Sequence, residues 1–379
     1  MSIGSVNYFS TISFLLRKIV QNKTRSHQLL STKKLFINRN ALPRYNFQWE
    51  KSYQTKSCIN LGETNIVKSP WKELVIPSNV SLPEFVWEVG LTRHATKTAL
   101  IDGVTGHSYT YKEAHADSKR FSILLQDLSI EKGDVVALFM PNCPEYIICL
   151  LGTMGIGAIA TTINPNYTAH EVAKQFEASN TKFIVTTQTL TNVVKEAIKI
   201  IDTEIKIIVM GADKERNASE YYVYDDLMRR IQDDRLHEFA FHKDNWDDVA
   251  LLPYSSGTTG LPKGVMLSTK NLVSNIYQNV YCREIEFVKQ ATVNYQAKLI
   301  GVLPMFHIFG LAVSSLPTLR AGGQLITIPK FEPALFAETL KRFKPTFLHL
   351  VPPLVSFCAS NEDVTANHLE SVEHIMVKL

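Results

Sequence analysis

Ser255-Ser256-Gly257-Thr258-Thr259-Gly260-Leu261-Pro262-Lys263-Gly264 is the stretch from which the rest of the chain is read. The apolar run Val249-Ala250-Leu251-Leu252-Pro253-Tyr254 enters it as a strand, and Val265-Met266-Leu267 leaves it as a second. Ser268 and Thr269 then offer an N-cap to a helix with Leu272, Ile276 and Val280 on one face. Gly257, Gly260 and Gly264 let the backbone approach a ligand with no Cβ in the way. Successive amides in such a turn form a concave anion site. The hydroxyls of Ser255, Ser256, Thr258 and Thr259 add donors, and Lys263 adds a point charge suited to phosphate. The set suits a polyphosphate. Pro262 before Lys263, and a strand rather than a helix after the loop, set it apart from the Gly-Lys-Ser/Thr phosphate loop. The plain alternative is a Gly-rich hairpin that holds nothing.

Upstream, short apolar runs alternate with helical spacing. Thr98-Ala99-Leu100-Ile101 and Ser108-Tyr109-Thr110-Tyr111 predict a hairpin around Asp102-Gly103. Strands are expected at 134–140, 158–163, 182–186 and 206–210, with helices at 112–128, 146–154, 169–178 and 191–201 between them. Downstream, strands are expected at 299–303, 324–328, 346–351 and 373–377, and helices at 333–342 and 354–360. All-apolar strands separated by helices predict an α/β fold of layered parallel sheets flanked by helices. Ligands of such sheets sit at the carboxyl ends of strands. Both the Gly-rich loop and the segment Pro304-Met305-Phe306-His307-Ile308-Phe309-Gly310-Leu311 fall at such ends. A lone His beside aromatic residues is by itself more often a packed, hydrogen-bonded side chain than a reactive one. His94, His237, His242 and His349 are read as structural.

The loop is similar to the signature loop of the AMP-forming, adenylate-forming enzymes: acyl- and aryl-CoA synthetases, 4-coumarate–CoA ligases and beetle luciferases. Met305-Phe306-His307-Ile308-Phe309-Gly310 resembles the segment that lines the acyl and adenylate pocket in the 4-coumarate–CoA ligase and luciferase group. The resemblance runs from about residue 80 to 377. It implies a two-step reaction, in which a small carboxylic acid, aryl or fatty, attacks the α-phosphate of ATP and coenzyme A then takes the acyl group. By the same resemblance Ser255, Ser256, Gly257, Thr258, Thr259, Gly260 and Lys263 would hold the phosphates, with Mg²⁺ bridging their oxygens. His307 would contact the activated carboxylate as the catalytic residue, and Phe309 would form a pocket wall beside it.

The resemblance also implies segments that these residues do not contain: a Tyr-Gly-x-Thr-Glu run, an Asp for the ribose, and a small C-terminal lid domain with a catalytic Lys. Residues 80–379 are therefore expected to form a partial large N-terminal domain. Residues 1–379 alone are expected to make no acyl-CoA, and a non-catalytic nucleotide- or acyl-binding remnant is the alternative. A strand ending at Val377 is expected to leave an exposed sheet edge.

The charge of +4 over 379 residues conceals an asymmetry. Arg17, Lys18, Lys23, Arg25, Lys33, Lys34, Arg39 and Arg44 all precede the first acidic residue, Glu50, and without them the balance becomes −4. The basic excess thus belongs to a leader and not to a nucleic-acid surface. Residues 1–49 are basic, Ser-rich and free of Asp and Glu, the composition of a mitochondrial presequence. A peroxisomal or cytoplasmic address is the alternative. Arg17 and Lys18 break the apolar run well short of the ~20 residues of a transmembrane span. Residues 50–79, with Pro70 and Pro77, read as a linker. Cys58, Cys143, Cys149, Cys282 and Cys358 are odd in number and lack CxxC spacing, which predicts reduced, inert thiols and no metal site. The acidic pairs Asp225-Asp226, Asp233-Asp234 and Asp247-Asp248 are read as solvated helix ends and loops.

Overall fold

The computed structural model describes residues 73–212, 220–243, 245–255, 263–281 and 289–377, together with a strand at 35–37. The presequence expectation otherwise falls outside the described residues, as does the linker up to residue 72. Residues 73–81 carry neither helix nor strand.

Among the described residues fifteen strands are numbered in chain order. They are β1 (Leu35–Ile37), β2 (Thr98–Asp102), β3 (Ser108–Thr110), β4 (Val135–Phe139), β5 (Ile159–Thr162), β6 (Thr181–Thr187), β7 (Lys206–Met210) and β8 (Tyr222–Val223). Then come β9 (Val249–Ser255), β10 (Lys263–Gly264), β11 (Leu267–Ser268), β12 (Lys298–Gly301), β13 (Gln324–Thr327), β14 (Phe347–Leu350) and β15 (His374–Val377). They form two sheets. One runs β1-β15-β14-β12-β13-β2-β3, and the other β10-β9-β5-β4-β6-β7-β8 with β11 also on β9. The pairs from β1 through β15, β14, β12 and β13 to β2 are all parallel, as are those from β9 through β5, β4, β6 and β7 to β8. The β2–β3 hairpin and the returns of β10 and β11 onto β9 are antiparallel.

The layers follow from which helices are apolar all round. In helix Pro144–Met154 every residue but Glu145 is buried, and it packs on β4 and β5 of one sheet and on β2 of the other. Such a helix belongs between two sheets. There each fully buried Ile or Leu contributes about 1.5–3 kcal/mol by leaving water. Helix Tyr111–Asp127 lies beside it and starts at a capping box made by Thr110 and Glu113. One outer face is covered by helices Pro333–Phe343 and Pro352–Ser360, the other by Ala169–Ser179 and Thr191–Ile201. Tyr111, fully buried, donates its hydroxyl to the carbonyls of Gly323 at 2.5 Å and Leu319 at 3.1 Å, tying the central layer to the turn before β13.

Two expectations are corrected. The edge of β15 is not bare, because β1 pairs with it in parallel, Leu35 opposite Ile375 and Ile37 opposite Val377. The run after the loop is not one strand. Lys263-Gly264 and Leu267-Ser268 pair with β9 as two short strands in one continuous register; Val265 and Met266 between them are exposed, Val265 N–H still donates to the Pro253 carbonyl at 2.9 Å, and the register shifts only between Leu267 and Ser268. The acidic pairs lie at helix ends and in a loop, as read: Asp225-Asp226 and Asp233-Asp234 open the short helices Tyr224–Arg230 and Asp233–Glu238, and Asp247-Asp248 sits in the turn before β9. Their carboxylates are engaged with cations: Asp226 with Arg229, Asp233 with Arg120, and Asp248 with Lys132. Cys149 and Cys358 are buried and Cys143 half-buried, all as free thiols, while Cys58 and Cys282 fall outside the described residues. No helix among the described residues is long and apolar enough to cross a membrane.

Candidate functional site

β9 and β10 hold the root of the Gly-rich loop. Lys263 stands opposite Ser255 and Gly264 opposite Tyr254. Residues directly opposite in an antiparallel pair share a face, so the Ser255 hydroxyl and the Lys263 ammonium emerge side by side where the loop begins and ends. Both are exposed, and no carboxylate among the described residues pairs with Lys263. A Cβ on Gly264 would sit 3.1 Å from Cζ of Tyr254, so glycine lets that ring lie across the returning strand. Ser256, Gly257, Thr258, Thr259 and Gly260 lie outside the described residues. Behind the hairpin, Ser268 caps helix Thr269–Tyr281. Its Oγ accepts from Asn271 N–H at 3.3 Å, and its own N–H donates to Asn271 Oδ1 at 3.0 Å.

The second part of the site belongs to the other sheet. β12 ends at Gly301, and a turn carries the chain to His307, whose N–H donates to the Pro304 carbonyl at 3.2 Å. The Phe309 N–H donates to His307 Nδ1 at 3.2 Å. An Nδ1 that accepts carries no proton, so the imidazole is neutral and presents Nε2–H as a donor. From Phe309 to Ser315 the chain is a π-helix, a form that concentrates at functional sites. A Cβ on Gly310 would lie 2.2 Å from the Pro304 carbonyl oxygen, so only glycine closes this turn. Phe309 is half-buried and packs on two hydrophobic clusters, one between the sheets and one on the outer face.

His349, read from the sequence as structural, packs directly behind the site. It lies at the end of β14, 1 % exposed, with its ring 5.8 Å from that of Phe309 and 4.4 Å from that of Phe347. Its Nδ1 is 2.5 Å from Ser314 Oγ, on the π-helix. Its Nε2 has no hydrogen-bond partner. Burial drives its pKa from 6.5 down to about 3, which keeps the ring neutral. The sole sequence cue was its position just before Pro352-Pro353, at the carboxyl end of an apolar strand. His94, also assigned a structural role, is buried, and burial lowers its pKa too.

Chemically the arrangement offers a cation and a hydroxyl at the mouth of a Gly-rich loop, and a neutral imidazole donor beside an aromatic wall. That is a pairing for an anionic polyphosphate and a carboxylate. Among the described residues no group of three or more His, Cys, Asp or Glu side chains could hold a metal ion.

Comparison with known proteins agrees with this chemistry. Residues 87–378 match the family described as AMP-binding enzyme. The 4-coumarate–CoA ligase 1 of Arabidopsis thaliana is 34% identical over 317 residues, covering 84% of this chain and 55% of that protein. The structure of a red-emitting luciferase from Phrixothrix hirtus matches with a TM-score of 0.71 at 21% identity, over 81% of this chain and 57% of its own. ATP-bound MatB from Rhodopseudomonas palustris matches with a TM-score of 0.66 at 24% identity, over 79% of this chain and 55% of its own. At those identities the two structures speak for the fold. The chain spans about half the length of the curated relatives it matches.

Proposed function

Because the chain belongs to the family of AMP-binding enzymes, we propose that it carries the site at which ATP and a small carboxylic acid meet in an AMP-forming acid–CoA ligase. The observation that supports this most is the hairpin register, which sets Lys263 beside Ser255 at the base of the Gly-rich loop. In this reading Lys263, Ser255 and the loop residues Ser256, Gly257, Thr258, Thr259 and Gly260 hold the β- and γ-phosphates. The substrate carboxylate attacks the α-phosphorus, the bond to the bridging oxygen breaks, and pyrophosphate leaves. Neutral His307 donates Nε2–H to an oxygen of the carboxylate or of the resulting acyl-adenylate, and Phe309 walls the acyl group. The coenzyme A thiol then attacks the acyl carbonyl and AMP leaves. Positioning and charge neutralisation are the protein's share of this chemistry. Mg²⁺ would neutralise the phosphate oxygens, with those oxygens as its main ligands.

The relatives favour an aryl, hydroxycinnamate-like acid, with medium-to-long fatty acids as the second class. We further propose that residues 1–49 direct the chain to mitochondria, on their basic, Ser-rich, acid-free composition. The test of the site is ATP–pyrophosphate exchange across a panel of aryl and fatty acids, read beside calorimetric ATP binding. Carboxylate-dependent exchange that Lys263→Ala abolishes is the expected signature of the ligase half-reaction. ATP binding without exchange selects the second reading, a nucleotide- or acyl-binding module. Absence of both refutes the assignment of the site.

A further inference from the structure

The two halves of the site come from different sheets, and a run of buried polar side chains joins them. Thr162 ends β5, and its backbone is registered against Pro253 of β9, two residues before Ser255. Its side chain leaves that sheet. Thr162 Oγ1 donates at 2.8 Å to the carbonyl of Phe306, the residue before His307. The support behind it is complete. Thr161 Oγ1 donates to the Leu252 carbonyl of β9 at 2.8 Å, and Gln175 Nε2 donates to Thr161 Oγ1 and to the Thr162 carbonyl, both at 3.1 Å. One strand over, just past β4, Asn142 spends its whole amide on the same segment. Its Nδ2 donates to the carbonyls of Gly301 at 3.1 Å and Leu303 at 3.0 Å, and its Oδ1 accepts from Met305 N–H at 2.8 Å. Thr162, Gln175 and Asn142 are all buried.

The backbone from 302 to 306 has left the ladder of its own sheet, so its polar groups need partners. It takes them from the strand ends of the opposite sheet, and from β5, the neighbour of the hairpin strand β9. The separation of His307 from Ser255 and Lys263 therefore runs through very few bonds, with Thr162 in the middle. Alignment of a carboxylate with a phosphorus is sensitive to such a link, since a misplacement of about 1 Å costs on the order of 10²-fold in rate.

We propose that Thr162, seconded by Asn142, is a positioning residue that holds the His307 segment against the Ser255–Lys263 hairpin and thereby couples the carboxylate and phosphate subsites. The coupling rests on the adenylation reading above; the tie between the sheets stands on geometry alone. Thr162→Val keeps the shape and removes the donor, whereas Thr162→Ser keeps the donor. In the full chain, Thr162→Val is expected to speed backbone amide exchange at 305–311 by about tenfold or more, a local opening with the global fold retained. Binding of α,β-methylene-ATP alone and of 4-coumarate alone stays within about twofold, while the tightening of each by the other disappears. Thr162→Ser restores both readouts.

Unchanged amide exchange in Thr162→Val overturns the proposal. So does wild-type protein that binds each ligand without either tightening the other, or a coupling that survives the substitution. Wild-type protein that binds neither ligand refutes the adenylation reading, and the amide exchange then decides the tie by itself. Should Thr162→Val fail to fold, Asn142→Asp takes its place under the same criteria. It keeps the acceptor for Met305 N–H and sets a carboxylate against two carbonyls.

Discussion

Replacing His349 by Asn is expected to remove much of the protein's sensitivity to mild acid. In the folded protein burial holds this imidazole at a pKa of about 3, against 6.5 for the free side chain. Between those values the unfolded chain binds a proton that the folded chain refuses, so stability falls as the pH falls. Above about pH 7.5 both states are neutral and the effect vanishes; below about pH 3 both are charged and the loss is complete. From pH 7 to pH 5 the separation of the two pKa values works out to a loss of about 2 kcal/mol. The asparagine amide reaches for the same Ser314 hydroxyl but does not titrate. The assay is urea unfolding of both proteins at pH 7, 6 and 5, extrapolated to water. Asn at position 349 costs about 1–3 kcal/mol at pH 7 through lost packing and hydrogen bonding. It then loses about 2 kcal/mol less than the wild type on going to pH 5. Every other titrating group, His94 included, is common to both proteins and cancels in the comparison. Stability curves that stay parallel between pH 7 and 5 would mean that the folded protein protonates His349 freely, and the argument from burial would fail.

Three further outcomes are expected. Lys263→Ala weakens ATP binding by about 10–100-fold with little change in unfolding midpoint, measured by calorimetry beside urea melts; unaltered affinity removes Lys263 from the phosphate subsite. Tyr111→Phe removes the hydroxyl donor of the Gly323 carbonyl in a dry layer, while the Leu319 carbonyl keeps the Gly322 N–H, and costs about 1–3 kcal/mol of unfolding free energy; a neutral result would show that water reaches the Gly323 carbonyl. A fluorescent reporter behind residues 1–49 accumulates in mitochondria, and a diffuse cytosolic signal rejects the targeting proposal.

Strands buried on both faces announced themselves by composition. β4 is Val-Val-Ala-Leu-Phe, fully buried, and the sequence placed it within a residue. The helices at 111–127 and 169–179 were equally legible from their apolar spacing, and the structure adds a capping box at the start of each, Thr110 with Glu113 and Thr168 with Glu171. β8 was missed because a two-residue strand has no period to detect. The register shift between Leu267 and Ser268 was missed because an apolar run reads as continuous pairing and carries no mark of where its ladder slips. Of the candidate site, Ser255, Lys263, His307 and Phe309 were singled out through motifs local in sequence. His349 was read as structural, and its contacts with Phe309 and Ser314 had no local sign, because they exist only across a parallel crossover. The Thr162–Phe306 bond was equally hidden, since 144 residues separate its partners. The parallel pairing of β1 with β15 joins residues some 340 apart in sequence and had no local sign at all.

That pairing has a consequence for how the leader is used. Residues 35–37 lie within the stretch proposed as an address, yet they also complete the rim of a sheet. A short segment cannot be read by a receptor and lie hydrogen-bonded along β15 at the same moment. Under the targeting proposal, delivery and folding would compete for the same few peptide groups, and whichever came first would set the other's terms. A chain that folded early would hide part of its own label. A chain cleaved after such a leader would arrive with three residues of open backbone on β15, Ile375 to Val377, ready to accept another strand. Residues 35–37 would then be a temporary hem on that border of the sheet.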